Sequence, residues 1–477
     1  MIERGLIIGG VEQAAASGET FDVLSPATEQ VIGRVARGAK ADVDLAVAAA
    51  RNGFTQWHRL TPSAREAVLL RAADIMAEQG EQRYLDLLID ESGSVINKAR
   101  YEIARTADLL RAAAGEVRRL YGETMPNDSP DRISMVFREP LGVVAAIVPY
   151  NAPLLLLTKM TAFPLAAGNS IVIKPSEETP LIAIEYAKLL VEAGLPADAV
   201  SVVTGFGAEC GSPLVEHDDI NAIALTGSTA TGKAIGKIAM EKMRPTQLEL
   251  GGKSALVVLN DFDAKSAAKI AIEGMFTHAG QICMANSRIV VEAGIFDEFI
   301  AELKAGCEQL VVGDVRDTKS AYGPLINRNA LNKVLAHIED AKSRGTALLT
   351  GGEVHQGLTL QPTVLLEPSR EATAWRDESF GPLTSVVKAQ DLDDAIALAN
   401  DSVFALSAAV LTHNIQRGFK AAREIRSGAV HIGMHSFQSN AMAPIGGMGD
   451  SGIGRSGGKY STEEFTELKW ISVELGG

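Results

Sequence analysis

The alternation of apolar and polar positions divides the chain into two textures. Toward the N-terminus apolar residues recur at helical spacing. "ADVDLAVAAARNGF" and "TPSAREAVLLRAADIMAEQ" each carry an apolar stripe, and the second has Thr61 placed as an N-cap with Pro62 at the first helical position. The first part is therefore expected to be mostly helical. From about residue 141 short apolar runs bounded by Gly and Pro take over: "GVVAAIVP", "SIVIKP", "AVSVVTG" and "AIALTG". Separated by helical patterns, such runs suit parallel strands buried on both faces and joined by crossover helices. A second series, "SALVVLN", "RIVVEA", "TSVVKAQ" and "GAVHIG", begins near 254 and predicts a second α/β unit. The polar, turn-rich segment 123–140 reads as a strand pair or an arm. The β-prone tail, with Trp470 and Ile471, needs a partner strand, which another subunit could supply.

One apolar run, "LGVVAAIVPYNAPLLLLTKM", approaches membrane-spanning length. Pro149, Asn151 and Pro153 break its middle, so the expectation is a buried strand followed by a loop. "MIERGLIIGG" carries early charges and no apolar h-region, so no signal peptide is expected. With 477 residues, 46% hydrophobic and 22% charged, the chain is long enough for two or more cores. Its net charge of −14 lacks any basic run, which argues against nucleic acid or a membrane surface as partner. Three scattered cysteines, Cys210, Cys283 and Cys307, fit neither a disulfide framework nor a metal centre, and a cytoplasmic setting is expected.

Two glycine turns suggest a nucleotide. "GSTATGKA" (227–234) is one residue from a P-loop, but Ala234 replaces the hydroxyl that would bind magnesium. "TGFGAECG" (204–211) follows a strand, with Gly205 and Gly207 but Cys210 where a dinucleotide fingerprint has its third glycine. Either turn alone is an ordinary strand–helix connection; together they suggest a phosphate-bearing ligand at neighbouring strand ends. Candidate chemistry lies elsewhere. Cys283 follows a glycine-containing segment, Glu249 closes a strand beside two glycines, and Asn151 stands just past a buried strand. Thiol, carboxylate and amide supply a nucleophile, a general base and an oxyanion donor.

The motifs "IVPYNAPL", "IVIKPSEETP", "ALTGSTATGKAI", "LELGGKSALVV", "GQICMANSR", "ESFGP" and "PIGGMGDSGIGR", in this order and spacing, resemble the aldehyde dehydrogenase superfamily along nearly the whole chain. The resemblance implies a Rossmann-like cofactor domain (1–122 with 141–250), a catalytic α/β domain (251–455), and an oligomerisation arm with tail (123–140 and 456–477). A homodimer or homotetramer is implied. So is a thiohemiacetal on Cys283, stabilised by the Asn151 amide and the Cys283 N–H, then a thioester hydrolysed through Glu249. Cysteine chemistry of this kind calls for a polar or cation-lined site that favours thiolate.

Cofactor contacts are implied at Ile147, Pro149, Tyr150, Lys174, Glu177, Gly207, Gly227, Ser228, Leu250, Glu378 and Phe380. Glu467 is implied near the proton path, and Lys233 as a solvated helix residue. Glu177 favours NAD, with NADP as the alternative, because a carboxylate repels a 2′-phosphate. Glu249 points to hydrolysis rather than transfer to a thiol. The texture is similar to the bacterial salicylaldehyde, benzaldehyde and vanillin dehydrogenases, which implies an aromatic aldehyde; a small aliphatic aldehyde or semialdehyde is the alternative. Ala152 leaves room for a ring, and Met284, His435, Ser436, Gln438 and Ser439 are candidate pocket residues. A nucleotide-hydrolysing switch and a non-catalytic binder are the rival classes. The first lacks its hydroxyl at Ala234, and the second gives no reason to keep Cys283, Glu249, Asn151 and Lys174 together.

Overall fold

The computed structural model describes residues 2–475. Its first 36 residues depart from the helical expectation. They form short strands at Ile2–Arg4, Leu6–Ile8, Val11–Gln13, Thr20–Leu24 and Val31–Ala36. Most of these strands span only three residues, too few to display a period of two. Helix α1 (Lys40–His58), α2 (Pro62–Ser92) and α3 (Ile96–Val117) follow. The α2 start is as the sequence dictates: the Thr61 side chain accepts the Ala64 N–H, and Pro62 takes the first turn. Its end is set by Gly93, which enters the left-handed region at φ 65°.

A parallel sheet then forms from β1 (Val143–Ile147), β2 (Ser170–Lys174), β3 (Val200–Val202), β4 (Ala222–Thr226) and β5 (Thr246–Glu249). Their spatial order is β5-β4-β1-β2-β3, extended by antiparallel strands at both edges. This is a doubly wound arrangement whose strand order reverses between β1 and β4, where a crevice opens at the carboxyl ends. Between β1 and β2 the chain does not stay a loop after Pro149, as expected from the sequence. It re-enters helix as α4 (Pro153–Ala166), because Pro153 supplies a favourable first-turn φ and every turn of "PLLLLTKMTAFPLA" finds apolar neighbours. Helix α5 (Pro180–Glu192) links β2 to β3, and α6 (Thr229–Glu241) links β4 to β5.

The second sheet is built on β6 (Ala255–Val258), β7 (Arg288–Glu292), β8 (Thr363–Leu366), β9 (Leu383–Ala389), β10 (Ser407–Leu411) and β11 (Ala429–Ile432), in spatial order β8-β9-β7-β6-β10-β11. These strands are parallel throughout, with an antiparallel strand Ala347–Thr350 outside β8. Helix α7 (Arg328–Ser343) crosses to this sheet. Past residue 450 the chain returns to the first sheet: Gly452–Ile453 pairs antiparallel with β5, and the helix Gly458–Glu464 packs against α3 and α4. The terminal strand Thr466–Glu474 pairs over its full length with Arg132–Pro140 of the same chain, so the partner strand it needs is supplied on one edge from within the chain. No described helix is long and apolar enough to cross a membrane.

One buried amide ties these returns together. Asn169 Oδ1 accepts the Gly142 N–H at 2.9 Å, while Nδ2 donates to the carbonyls of Pro164 and Phe465, each at 3.0 Å. Asn169→Ala strands buried backbone groups at the start of β1 and the end of the C-terminal helix. The expected cost is about 2–4 kcal/mol, read as a lower urea midpoint with an unchanged slope. An unaltered midpoint would show that this knot does not hold the sheet.

Candidate active site

The crevice at the strand ends holds a cavity of about 360 Å³, within the range of small-molecule sites. Both halves of the molecule line it. The β1 end gives Pro149, Tyr150 and Asn151; the β4 end gives Thr226, Gly227 and Ser228; the β5 end gives Leu250 and Gly251. From the second half come Cys283, the start of α7 with Asn327, Ala330 and Lys333, and the segment Glu378–Phe380. Nine of the sequence-derived candidates therefore meet at one cavity: Pro149, Tyr150, Asn151, Gly227, Ser228, Leu250, Cys283, Glu378 and Phe380. Ile147 lies just below, as the last residue of β1.

The "GSTATGKA" turn works as a helix start. Ser228 caps α6 by accepting the Thr231 N–H at 3.1 Å, which leaves first-turn N–H groups facing the crevice. Lys233 points outward and pairs with Asp450 at 2.7 Å. A Cβ on Gly232 would lie 2.2 Å from Leu250 Cδ2, so only glycine lets Leu250 settle against this helix. Thr226 Oγ1 is buried at the β4 end without a protein partner, an orphan that suits a polar ligand. On the adjoining strand ends Lys174 is buried, 3.3 Å from Glu177 Oε2, and the Gly207–Gly211 turn packs alongside its stem. Buried cation, orphaned hydroxyl and capped helix start fit a nicotinamide dinucleotide. Lys174 and Glu177 would hold its adenosine hydroxyls, and Gly227 with Ser228 its pyrophosphate.

Glu378 faces the other end. Its Oε1 accepts the Gly252 N–H at 2.9 Å, and a Cβ on Gly251 would sit 2.5 Å from Oε2. Burial raises the Glu378 pKa, against the Gly252 N–H and the charges of Lys333 and Lys253. Phe380 adopts a left-handed φ of 54° and stands edge-on to Tyr150, with ring centroids 6.1 Å apart. A bulky residue in that region stores strain. Here it turns the ring toward the cavity.

Asn151 is buried, and its Nδ2 donates to the Gln281 carbonyl at 2.8 Å. That leaves its second N–H for a ligand. Glu249 is buried behind the cavity wall, where its carboxylate accepts from Lys159 Nζ at 3.0 and 3.1 Å and from Ser456 Oγ. Cys283 is half-buried and departs from the thiolate-favouring expectation. Its pKa is pushed up to about 12, first by burial, then by the carboxylates of Glu378 and Glu249, with Lys159 opposing. Lys159 is outweighed because dehydration and two carboxylates all favour the neutral thiol.

Other candidates are placed elsewhere. Glu467 is exposed and lines a separate surface cleft with Lys242 and Arg244, on a strand whose residues 467–474 are all exposed. The carboxylate that approaches Glu249 is Glu464, which accepts from Gln247 Nε2 at 3.0 Å and from the Arg455 N–H at 2.6 Å. Its pKa is raised by burial, and Glu249 adds to the rise. Ser436 is buried, with Oγ 2.5 Å from both Met284 O and Asn286 Oδ1. It therefore anchors its loop to the cysteine segment and is not a free ligand contact. Ala152, Met284, His435 and Gln438 are half-buried outside the cavity lining, and Ser439 is exposed. Gln438 Nε2 donates to the His435 carbonyl at 3.1 Å.

Sequence reasoning missed Lys159, Ser456, Glu464, Asn327 and Lys333. Of these only Lys159 left a signal, a lone cation inside an otherwise apolar run. The raised thiol generates a measurable expectation. Without cofactor, iodoacetamide alkylation of Cys283 should climb about tenfold per pH unit from 7 to 10 without levelling, since the thiolate fraction rises that way below the pKa. A plateau near pH 7 would contradict this electrostatic description.

The aldehyde dehydrogenase family matches residues 13–471. The chain is 36% identical to the vanillin dehydrogenase of Pseudomonas fluorescens, over 100% of this chain and 99% of that one. It is 35% identical to the succinate semialdehyde dehydrogenase of Acinetobacter baylyi, over 98% and 97%. The crystal structure of an NAD-dependent aldehyde dehydrogenase from Sinorhizobium meliloti superposes with a TM-score of 0.97 at 34% identity, over 100% of this chain and 95% of that one. With this match and a cavity that joins a cysteine to a dinucleotide crevice, the chain belongs to the aldehyde dehydrogenase family and is an NAD(P)-dependent enzyme of that family.

Proposed function

We propose that the protein oxidises an aromatic aldehyde to its carboxylic acid, with NAD preferred over NADP. The observation that carries the reading is the convergence of Cys283, Asn151 and Glu378 on one cavity, with Glu249 held just behind it. Cys283 Sγ attacks the aldehyde carbon and forms a thiohemiacetal. Its oxyanion takes the free Asn151 N–H and the Cys283 main-chain N–H. A nicotinamide dinucleotide, its sugar held by Glu378, would supply the acceptor for the hydride whose loss turns the thiohemiacetal into a thioester. Glu249 accepts a proton from the water that cleaves the resulting thioester, and Lys159 and Ser456 keep its carboxylate aimed. As the carbon–sulfur bond forms, Sγ gives up its proton to water, so proton removal from Sγ belongs to the catalytic cycle. NAD preference rests on Glu177, whose carboxylate stands beside Lys174 where a 2′-phosphate would be repelled.

The aromatic substrate is supported by similarity to a vanillin dehydrogenase and by the small Ala152. The near-equal identity to a semialdehyde dehydrogenase favours the second reading, an aliphatic semialdehyde. We also place the protein in the cytoplasm as a homo-oligomer. Support comes from its free cysteines and from the arm, where Leu468 and Trp470 are 63% and 67% exposed on an edge strand.

Purified protein, followed by reduced-nicotinamide absorbance, tests the reading with benzaldehyde, salicylaldehyde, vanillin, hexanal and succinic semialdehyde. Ring aldehydes should lead by about tenfold or more in kcat/KM, equal to about 1.4 kcal/mol. A lead for the aliphatic compounds would overturn the substrate class and leave the cysteine chemistry standing. Cys283→Ala should cost at least about a thousandfold in kcat while NAD still binds. Retained turnover would overturn the mechanism.

A further inference from the structure

Asn151 is gripped at both ends by groups outside the cavity. Its side-chain amide is tied to Gln281 O, and its main-chain carbonyl accepts from Lys98 Nζ at 2.9 Å. Lys98 stands near the start of α3, a helix packed behind the site. Its ammonium also donates to Glu102 Oε2 at 2.5 Å and Ser94 Oγ at 2.9 Å, so all three of its protons have acceptors. The Lys98 side chain is 12% exposed and that of Glu102 only 1%.

The other Glu102 oxygen accepts the N–H groups of Leu154 and Leu155 at 2.8 and 3.0 Å, the first turn of α4. The ion pair thus holds residues 151–155 at two points, the carbonyl before the helix and the helix start itself. A buried pair of this kind is a weak source of stability, since dehydration consumes most of the attraction. What it fixes is geometry.

A second observation comes from the other side. His278 and Ala279 both take left-handed φ, 52° and 55°, just before the cysteine segment. The His278 carbonyl accepts from the Gln281 N–H and from Gln281 Nε2, at 3.1 and 3.2 Å. Its own imidazole is buried, with Nε2 unpartnered, and burial and then the Lys98 charge push its pKa well below the usual value. The strained turn therefore holds Gln281, which holds the Asn151 amide, while Lys98 holds the Asn151 main chain.

The geometry points to Lys98 as a positioning residue for the oxyanion, acting through Asn151 without touching substrate. This rests on the reading of Asn151 as the oxyanion donor. Lys98 fixes the Asn151 backbone, and the Gln281 carbonyl accepts one amide N–H, so the second is left for the oxygen on the carbon bound to Cys283.

Full-length Lys98→Met, Asn151→Ala and the double variant separate the two ideas. Asn151→Ala should lower kcat/KM for the aldehyde about a hundredfold. Lys98→Met should lower it about tenfold to thirtyfold, with KM for NAD and the rate of Cys283 alkylation within about twofold of the parent. The double variant should be no more than about twofold below Asn151→Ala alone, because both act through one group. Should Asn151→Ala lose nothing, the oxyanion reading fails. Should Asn151→Ala lose activity while Lys98→Met does not, or the two losses multiply, the positioning role fails. A shift of alkylation or NAD affinity in Lys98→Met as large as its kcat/KM loss also overturns it. If Lys98→Met does not fold because Glu102 is stranded, Lys98→Met/Glu102→Gln takes its place. It removes both charges and keeps an oxygen for the α4 N–H groups, and the same outcomes decide.

Discussion

The buried Glu249 carboxylate is the constraint around which the structure closes. A charge there must be paired and hydrogen-bonded or it neutralises. Its partners come from two distant segments, Lys159 on α4 and Ser456 in the returning C-terminal stretch. The return brings Gly452–Ile453 onto the β5 edge and seats Glu464 against Gln247 and Arg455. A buried carboxylate, a sheet edge and the seat of Glu464 are thus fixed by one demand for charge compensation.

The same economy appears across the cavity. Glu378 and Glu249 lie close enough to Cys283 to raise its thiol together, and Lys159 opposes them. Backbone conformation aims the rest: left-handed φ at Phe380, His278 and Ala279, and glycines at 251 and 252 where a Cβ would meet Glu378 or the Cys283 carbonyl. Such strain is held only because both sheets pack tightly around it. The half-buried Ala152, Met284 and His435 lie outside the lining of that cavity. Relatives of near-equal identity act on vanillin and on succinate semialdehyde by name, which is what a shared catalytic frame with variable loops produces.

By itself the sequence determined what local pattern and chemistry determine. Apolar runs between glycines and prolines set the two parallel sheets, Thr61 and Pro62 set a helix start, and ordered motifs set the family. It located Cys283, Asn151 and Glu378, which share the cavity, and Glu249 just behind it. Three-residue N-terminal strands escaped because they are shorter than the period they would have to show. The tertiary structure alone decided the polar partnerships. Lys159 reads as a stray cation and Ser436 as a ligand contact until the fold brings their partners within bonding distance. It decided that Glu464 and not Glu467 turns inward, since Glu464 ends a helix packed on the first unit beside Gln247 and Arg455 while Glu467 lies on a strand exposed along its length. It decided the state of the Cys283 thiol, because a pKa depends on the water and charges around a group, and a linear chain contains neither.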